Sequence, residues 1–405
     1  TELFLTSDDG VATATLSNTG GAQTVDYVRV LKVDGTDANH IAAINSWDID
    51  QSLSFWDFGE MLFTFVTTGN WDIASNWGQN RLPAQTDNII VNSGQTLTLN
   101  GDKTINDIDV DGTLVVGSDA FTVTGDCDID GSIAVTSGTV DVDGVFDATG
   151  GSVTFTGAGN LTLDSTVTSL GTLSTANGTV TYNGDTAQTI VAGAYPSLKA
   201  SDAAGTKTLG GAVTVAGGLI IDASVTVDMN GNTLGVTGTT DIDGVLDVAD
   251  NILTLGGASN LDGTMTISTG TVDANGSFDA TSGTITFSDA GNLNLAGTVT
   301  DLGTLTSVGF GTVTYDGAGD QAIVEDIYYN LTAGSGGIKT LGGAVTVTND
   351  LTIDTDVTIA MDTHDLSVTN ATNIDGTLAV ADNILTLDGA SDIEGTIIIS
   401  TGTVD

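Results

Sequence analysis

The sequence predicts an all-β chain wound as a parallel β-helix, a β-solenoid of 132-residue repeats, with a small N-terminal β-domain before it. The first observation is repetition. Gly138-Thr-Val-Asp recurs at Gly270 and again at Gly402, so both intervals are 132 (270 − 138 and 402 − 270). Leu209-Gly-Gly-Ala-Val-Thr-Val returns at Leu341, and Asp243-Gly returns at Asp375, with the same spacing. A fixed period of this kind marks units that stack on their neighbours and do not fold alone. The second observation is composition. The 54 glycines, two prolines, 5% aromatic residues and abundance of Val, Thr, Asn and Asp describe short strands joined by tight turns. The third is a period of two in the apolar positions, described below.

Residues 1–68 differ from the remainder. Val11-Ala-Thr-Ala-Thr-Leu, Val25-Asp-Tyr-Val-Arg-Val-Leu-Lys-Val and Phe63-Thr-Phe-Val alternate as strands do. Both arginines, Arg29 and Arg81, and all four tryptophans, Trp47, Trp56, Trp71 and Trp77, precede residue 82. This segment is expected to be a β-domain, sandwich-like or strand-exchanging. Residues 69–137 are expected to form an aromatic cap and the first coils, 138–269 and 270–401 two solenoid repeats, and 402–405 the start of a third copy.

From Asn88 onward the copies can be laid against each other. Leu114, Leu246 and Leu378 share one position; two residues on stand Val116, Val248 and Val380. Phe121, Leu253 and Leu385 follow, then Val123, Leu255 and Leu387, then Ile133, Met265 and Ile397. Between them Val115, Asp247 and Ala379 share no polarity. One face keeps its hydrophobicity while the other drifts, as in strands with a single buried face. Gly112 to Gly131, Gly244 to Gly263 and Gly376 to Gly395 are each 19 residues apart. About six coils of ~20–24 residues would then fill a unit, each strand ~4.8 Å from its equivalent, and residues 84–405 would make a rod of roughly 70 Å.

At the 19-residue steps the turns are acidic in pairs. Asp109 and Asp111 are expected beside Asp128 and Asp130, Asp241 and Asp243 beside Asn260 and Asp262, and Asn373 and Asp375 beside Asp392 and Glu394. All twelve carry oxygen ligands, and the intervening residues Val110, Ile129, Ile242, Leu261, Ile374 and Ile393 are apolar and expected inward. Like charges ~4.8 Å apart repel by about 0.9 kcal/mol even at bulk dielectric, a cost that a hard cation such as Ca²⁺ would remove. The bland reading is preferred, in which Asp-Gly makes turns and outward Asp keeps strands solvated. Neither the nine-residue calcium repeat nor the EF-hand loop is present.

The net charge of −45 opposes nucleic acid and anionic membranes as partners. No apolar run is long enough to span a membrane. The single cysteine, Cys127, has Ser259 and Ser391 as its counterparts, so no role common to the copies needs a thiol. Of the two histidines, His40 and His364, the second corresponds to Asn232, which removes a shared imidazole base. Lys103, Lys199, Lys207 and Lys339 are the only cations beyond Arg81. Lys207 and Lys339 are equivalents, and a structural role beside a loop is expected for them. Asp pairs occur at nearly every turn, so they do not single out an acid/base pair, and the chain is expected not to be an enzyme. Thr-x-Thr at Thr122, Thr166 and Thr179 is too irregular for a flat ice-binding face. The sequons at Asn160, Asn177, Asn275, Asn330 and Asn370 are the number chance supplies in such a composition.

The run Trp71…Trp77…Pro83…Asp87-Asn-Ile-Ile-Val, followed by Gly-Thr-Leu/Val-Thr-Val coils, resembles the large secreted β-helix proteins of prokaryotic surfaces, adhesin-like or filament-forming. The resemblance covers residues 69–405 and rests on composition. It implies a right-handed parallel β-helix outside the cell and carries over no catalytic residue. The expected function is therefore a structural or adhesive extracellular protein, a stiff acidic solenoid rod and a candidate subunit of a surface filament or sheath. End-to-end contact between copies and surface glycans are its expected partners. The absence of a leader before Thr1 and the four residues of a third copy suggest a piece of a longer secreted protein. The alternative is a polysaccharide-binding or polysaccharide-degrading β-helix, with the tryptophans as an aromatic platform. A third reading takes the acidity as adaptation to high salt.

Overall fold

The computed structural model describes residues 62–405 except 202–204 and 308, together with the backbone of eight short strands between Leu3 and Asp57. By contacts the chain divides into two compact units, Thr1–Thr154 with Ser169–Thr172, and Phe155–Thr168 with Leu173–Asp405. Both are parallel β-solenoids, and among the described residues the one helical turn is the 3-10 turn Ala74–Asn76.

In the first unit each coil visits three sheets in turn. Asn88–Val91 lies beside Ile108–Val110, which lies beside Cys127–Ile129. Thr96–Thr98, Thr113–Gly117 and Ser132–Val135 form the second stack, and Lys103–Ile105, Ala120–Val123 and Thr139–Val142 the third. The described strands of residues 3–57 follow the same rule. Leu3–Thr6 pairs in parallel with Val28–Leu31, Ala14–Leu16 with Val33–Gly35, and Gln23–Asp26 with Ile41–Ile44. A sandwich would call for antiparallel neighbours, and these pairs carry the winding of a coil instead. Leu62–Phe65, near the end of the expected N-terminal domain, pairs in parallel with Asn88–Val91, and the other residues of that domain before 62 lie outside the described ones.

The core is a set of straight columns. Along one face of the second unit, Val213, Leu234, Leu253, Val272, Leu293, Val313, Leu331 and Leu351 are successive partners. All of them are buried. The expected apolar positions fall in such columns: Leu246, Val248, Leu253, Leu255, Met265 and Ile267 are buried, with Thr254 and Thr266 only partly so between them. The period of two is thus the pleat of strands that bury one side.

Glycine sets how closely the coils approach. A Cβ on Gly131 would stand 2.0 Å from the carbonyl oxygen of Gly112, and one on Gly263 would stand 1.9 Å from that of Gly244. The Asp-Gly steps are therefore places where one coil's backbone rests on the previous coil's carbonyl.

Coil length is 18 to 21 residues in the second unit, from Val313 to Leu331 and from Leu198 to Leu219. The repeat therefore does not contain a whole number of coils. Thr179–Tyr182 is the 25th described strand and its copy Thr312–Tyr315 the 45th, a step of 20. With three strands to a coil, 20 strands make six and two-thirds coils, not six. The strand Thr179–Tyr182 shares its sheet with Leu198–Ala200 and Leu219–Ile221. Its copy lies in a different sheet, with Asn330–Ala333 and Leu351–Ile353. Successive copies are turned by one face.

Candidate functional site

The acidic pairs fall into register as their spacing requires. Asp109 is the direct strand partner of Asp128, Asp241 of Asn260, and Asn373 of Asp392. Asp111, Asp130, Asp243, Asp262, Asp375 and Glu394 occupy the turns that follow these strands. Val110, Ile129, Ile242, Leu261 and Ile374 between them are buried, whereas Ile393, in the last coil, is half exposed. Two members of these ladders escape a reading of the 19-residue glycine steps. Asp147 stands next to Asp128, and Asp279 next to Asn260.

The three ladders differ chemically. In the second, Asn260 Nδ2 donates to Asp241 Oδ1 at 3.1 Å and to Asp262 Oδ2 at 3.2 Å. An amide between two carboxylates thus relieves their repulsion without a cation. In the third, Asn373 Nδ2 donates to Asp375 Oδ2 at 3.5 Å. Only the first ladder is carboxylate throughout. Partial burial, then Asp111, Asp128 and Asp130, push the Asp109 carboxyl above its usual range. Burial, then Asp130 and Asp147, do the same to Asp128. Asp243 is raised by burial and by Asp241, Asp262 and Asp222. These shifts record like charges held together by backbone register. Among the described residues, however, the three acids whose carboxylate oxygens lie within 4.8 Å of one another are Asp141, Asp143 and Asp164, outside all three ladders.

A second group of polar residues lies inside the coils. Gln188 and Lys207 are successive members of an inward column, followed by Val227 and Leu246. Lys207 is wholly buried; its Nζ donates to Gly184 O and, at 2.8 Å, to Gln188 Oε1. Gln188 Nε2 donates to Leu163 O at 2.9 Å and to Ser165 O at 2.7 Å. The next copy repeats the device: Lys339 Nζ donates to Gly317 O at 2.5 Å, Gly319 O at 3.0 Å and Gln321 Oε1 at 2.8 Å. Beside each stands a buried tyrosine pair, Tyr182 and Tyr195 at 2.9 Å and Tyr315 and Tyr328 at 3.0 Å between hydroxyls. Burial pushes the Tyr182 and Tyr315 hydroxyls up to about 12. The expected structural role for the two lysines is what these bonds describe. The recurrence of Gln188 and Lys207 as Gln321 and Lys339 was the available signal for their partners.

His364 has a structural partner. His364 Nδ1 bonds Leu341 O at 3.0 Å, and its counterpart Asn232 donates Nδ2 to Leu209 O at 2.9 Å, so both tie a turn to the preceding coil. Cys127 is buried, and burial raises its thiol. His40 lies outside the described residues.

Trp71 and Trp77 are core residues. Trp77 is fully buried, meets Phe65 and Trp71 edge to face, and donates Nε1–H to Trp71 O at 2.9 Å. Trp71 meets Phe121, and Asp72 beside it pairs with Lys103 at 3.2 Å. The rings fill the interior of the first coils and present no open face as a platform. Trp47 and Trp56 carry no described side chain.

No family model, no curated protein and no solved structure matches this chain.

Proposed function

We propose that this chain is a structural or adhesive extracellular protein, a stiff acidic solenoid that serves as a subunit of a surface filament or sheath. The observation that carries this reading is the set of in-register core columns, in sheets of up to eleven strands, shared by tandem copies. Such an array lengthens without a new core design, because each coil is stabilised by its neighbours alone. A heterologous contact between coil ends that does not close would extend it into a filament. Its strong negative charge keeps such an assembly soluble. The burial of Trp71 and Trp77 weighs against the polysaccharide reading. Electron microscopy of purified native material is the test: regular fibres support the proposal, and monodisperse single particles at high concentration remove the filament part of it.

Calcium belongs to the same proposal. The ladder of Asp109, Asp111, Asp128 and Asp130, with Asp147 beside it, is the all-carboxylate one of the three, and Ca²⁺ bound there would relieve its repulsion. Asn260 and Asn373 make the other two ladders poorer candidates.

A further inference from the structure

One face of the second unit carries a break in its strand ladder. The strand Gln188–Ile190 pairs with Thr206–Leu209 on one side and is the outermost strand of its sheet on the other. A strand with one partner leaves alternate N–H and C=O groups turned toward the open side. A groove of about 470 Å³ borders that edge, lined by Thr166, Thr168, Ala187, Thr189, Ala192 and Gly210 among others. Beside it Gln188 Nε2 bonds Leu163 O and Ser165 O of the preceding coil.

The next copy has the same break, before Gln321–Ile323, with different residues beside it. Ala187 and Ala192 correspond to Asp320 and Glu325. Asp320 Oδ1 accepts the Ile338 N–H at 2.9 Å, and Glu325 lies over Gly343, where an added Cβ would meet its Cβ at 2.4 Å. At its break the first copy thus has two methyl groups where its successor has two carboxylates. Its groove is lined by hydroxyl, amide and methyl groups with no acid, on a chain of net charge −45.

We infer that this groove is a peptide-binding site, taking an extended segment with small uncharged residues at its centre and lysine or arginine on its flanks. The peptide adds to the free edge of Gln188–Ile190 as a strand, and its backbone supplies the hydrogen bonds that edge lacks. The volume lies within the range of about 300–1,000 Å³ of ordinary ligand pockets. Small residues at 187 and 192 leave room for the peptide's side chains. The chain's net charge of −45 favours basic flanks and speeds their approach. The lining holds no aromatic ring on which a sugar could stack.

The full chain can be titrated by fluorescence anisotropy with a labelled peptide of alternating threonine and valine between paired lysines. One peptide per chain is expected. Ala187→Asp with Ala192→Glu installs the residues found at the equivalent place one copy later, and should weaken binding about tenfold or more. Asp320→Ala with Glu325→Ala should raise the stoichiometry from one to two. A peptide of equal charge with central prolines cannot complete the ladder and should bind at least about tenfold more weakly. Equal binding of the proline peptide, or unchanged binding to Ala187→Asp with Ala192→Glu, would reduce the effect to attraction of cations by an acidic surface and overturn the inference. Absence of peptide binding, with or without binding of a neutral oligosaccharide, would overturn it too. None of these outcomes depends on whether the chain forms filaments.

Discussion

Asp107 Oδ1 receives the backbone N–H of Asp126, one coil further on, at 2.8 Å. Asp126 Oδ1 in turn receives the Val145 N–H at 2.8 Å, and Asn88 Oδ1 stands 3.2 Å from the Asp107 nitrogen. Asp102 with Ala120 and Asp365 with Ile384 repeat the arrangement at other corners. At these corners an aspartate or asparagine side chain ties one coil to the next. The short side chain reaches a neighbour ~4.8 Å away, and the added methylene of glutamate would overshoot. Asp126→Ala should lower stability by about 0.5–1.5 kcal/mol in urea unfolding, since it removes one acceptor at an exposed corner. Asp126→Asn keeps an accepting oxygen and should recover most of this. Equal losses for the two variants would contradict the staple.

The glycine steps predict a contrast between two substitutions. A Cβ on Gly131 would run into the Gly112 carbonyl, so Gly131→Ala should cost about 3 kcal/mol, the upper end of overpacking. Gly117 has φ +66° and open space around its Cβ. Its counterparts Ala249 and Ala381 already hold φ +49° and +54° as alanine, each at the same one-residue shift of strand register. Gly117→Ala should therefore cost about 1 kcal/mol. Thermal or urea unfolding that ranked the two the other way would refute the close approach.

Acid should stabilise before it destabilises. A carboxyl whose pKa is higher in the folded chain than in the unfolded one takes up a proton on folding, so its contribution rises as pH falls through that interval. Asp109, Asp128 and Asp243 are of this kind. Asp222 is the opposite case. Burial alone would raise it, but Lys199 at 2.8 Å and the Ser201 hydroxyl hold it below the usual range. Its stabilisation is lost as pH falls through its depressed value. The melting temperature should climb as pH falls from neutrality toward the ordinary aspartate value of about 3.9, and fall again below it. Asp109→Asn with Asp128→Asn should flatten the climb, and a decline from pH 7 downward would exclude the account.

Lys207 and Gln188 should be energetically coupled. Lys207→Ala takes a buried donor from Gly184 O and leaves Gln188 Oε1 with the Gly184 N–H alone, and should cost about 1–3 kcal/mol. A double-mutant cycle of Lys207→Met and Gln188→Leu should show a coupling of about 1 kcal/mol or more. Additive effects would mean that the two side chains act independently.

Calcium should raise the melting temperature beyond what sodium chloride of equal ionic strength achieves, and Asp109→Asn with Asp128→Asn should abolish the difference. An unchanged transition in excess calcium, or in chelator, ends the cation part of the proposal.

Much of this arrangement could be read from residue spacing. The pairing of Asp109 with Asp128, Asp241 with Asn260 and Asn373 with Asp392 followed from constant 19-residue steps, because a coil of fixed length puts each residue on its equivalent. Where coil length changes the reading weakens. The coils from Leu198 to Leu219 and from Val313 to Leu331 differ by three residues, which hides the strand count and with it the turn of each copy by one face. Gln188 and Lys207 were illegible as core residues because their polarity marks the surface in any reading by hydrophobic period. Only the carbonyl oxygens around them, which belong to other coils, make their burial tolerable. The burial of Trp71 and Trp77 was illegible for the opposite reason. Composition cannot tell a ring that covers an edge from one packed beneath a neighbour.

The offset of two-thirds of a coil carries a consequence for how such a chain can change. Recombination between tandem copies gains or loses 20 strands at a time, and because any of the three sides can receive any strand, the interior seam closes after every such event. The exterior does not return to where it was. Variants one copy longer or shorter would display the same chemical groups on a different one of the three sheets, and only after three copies would they return to the first.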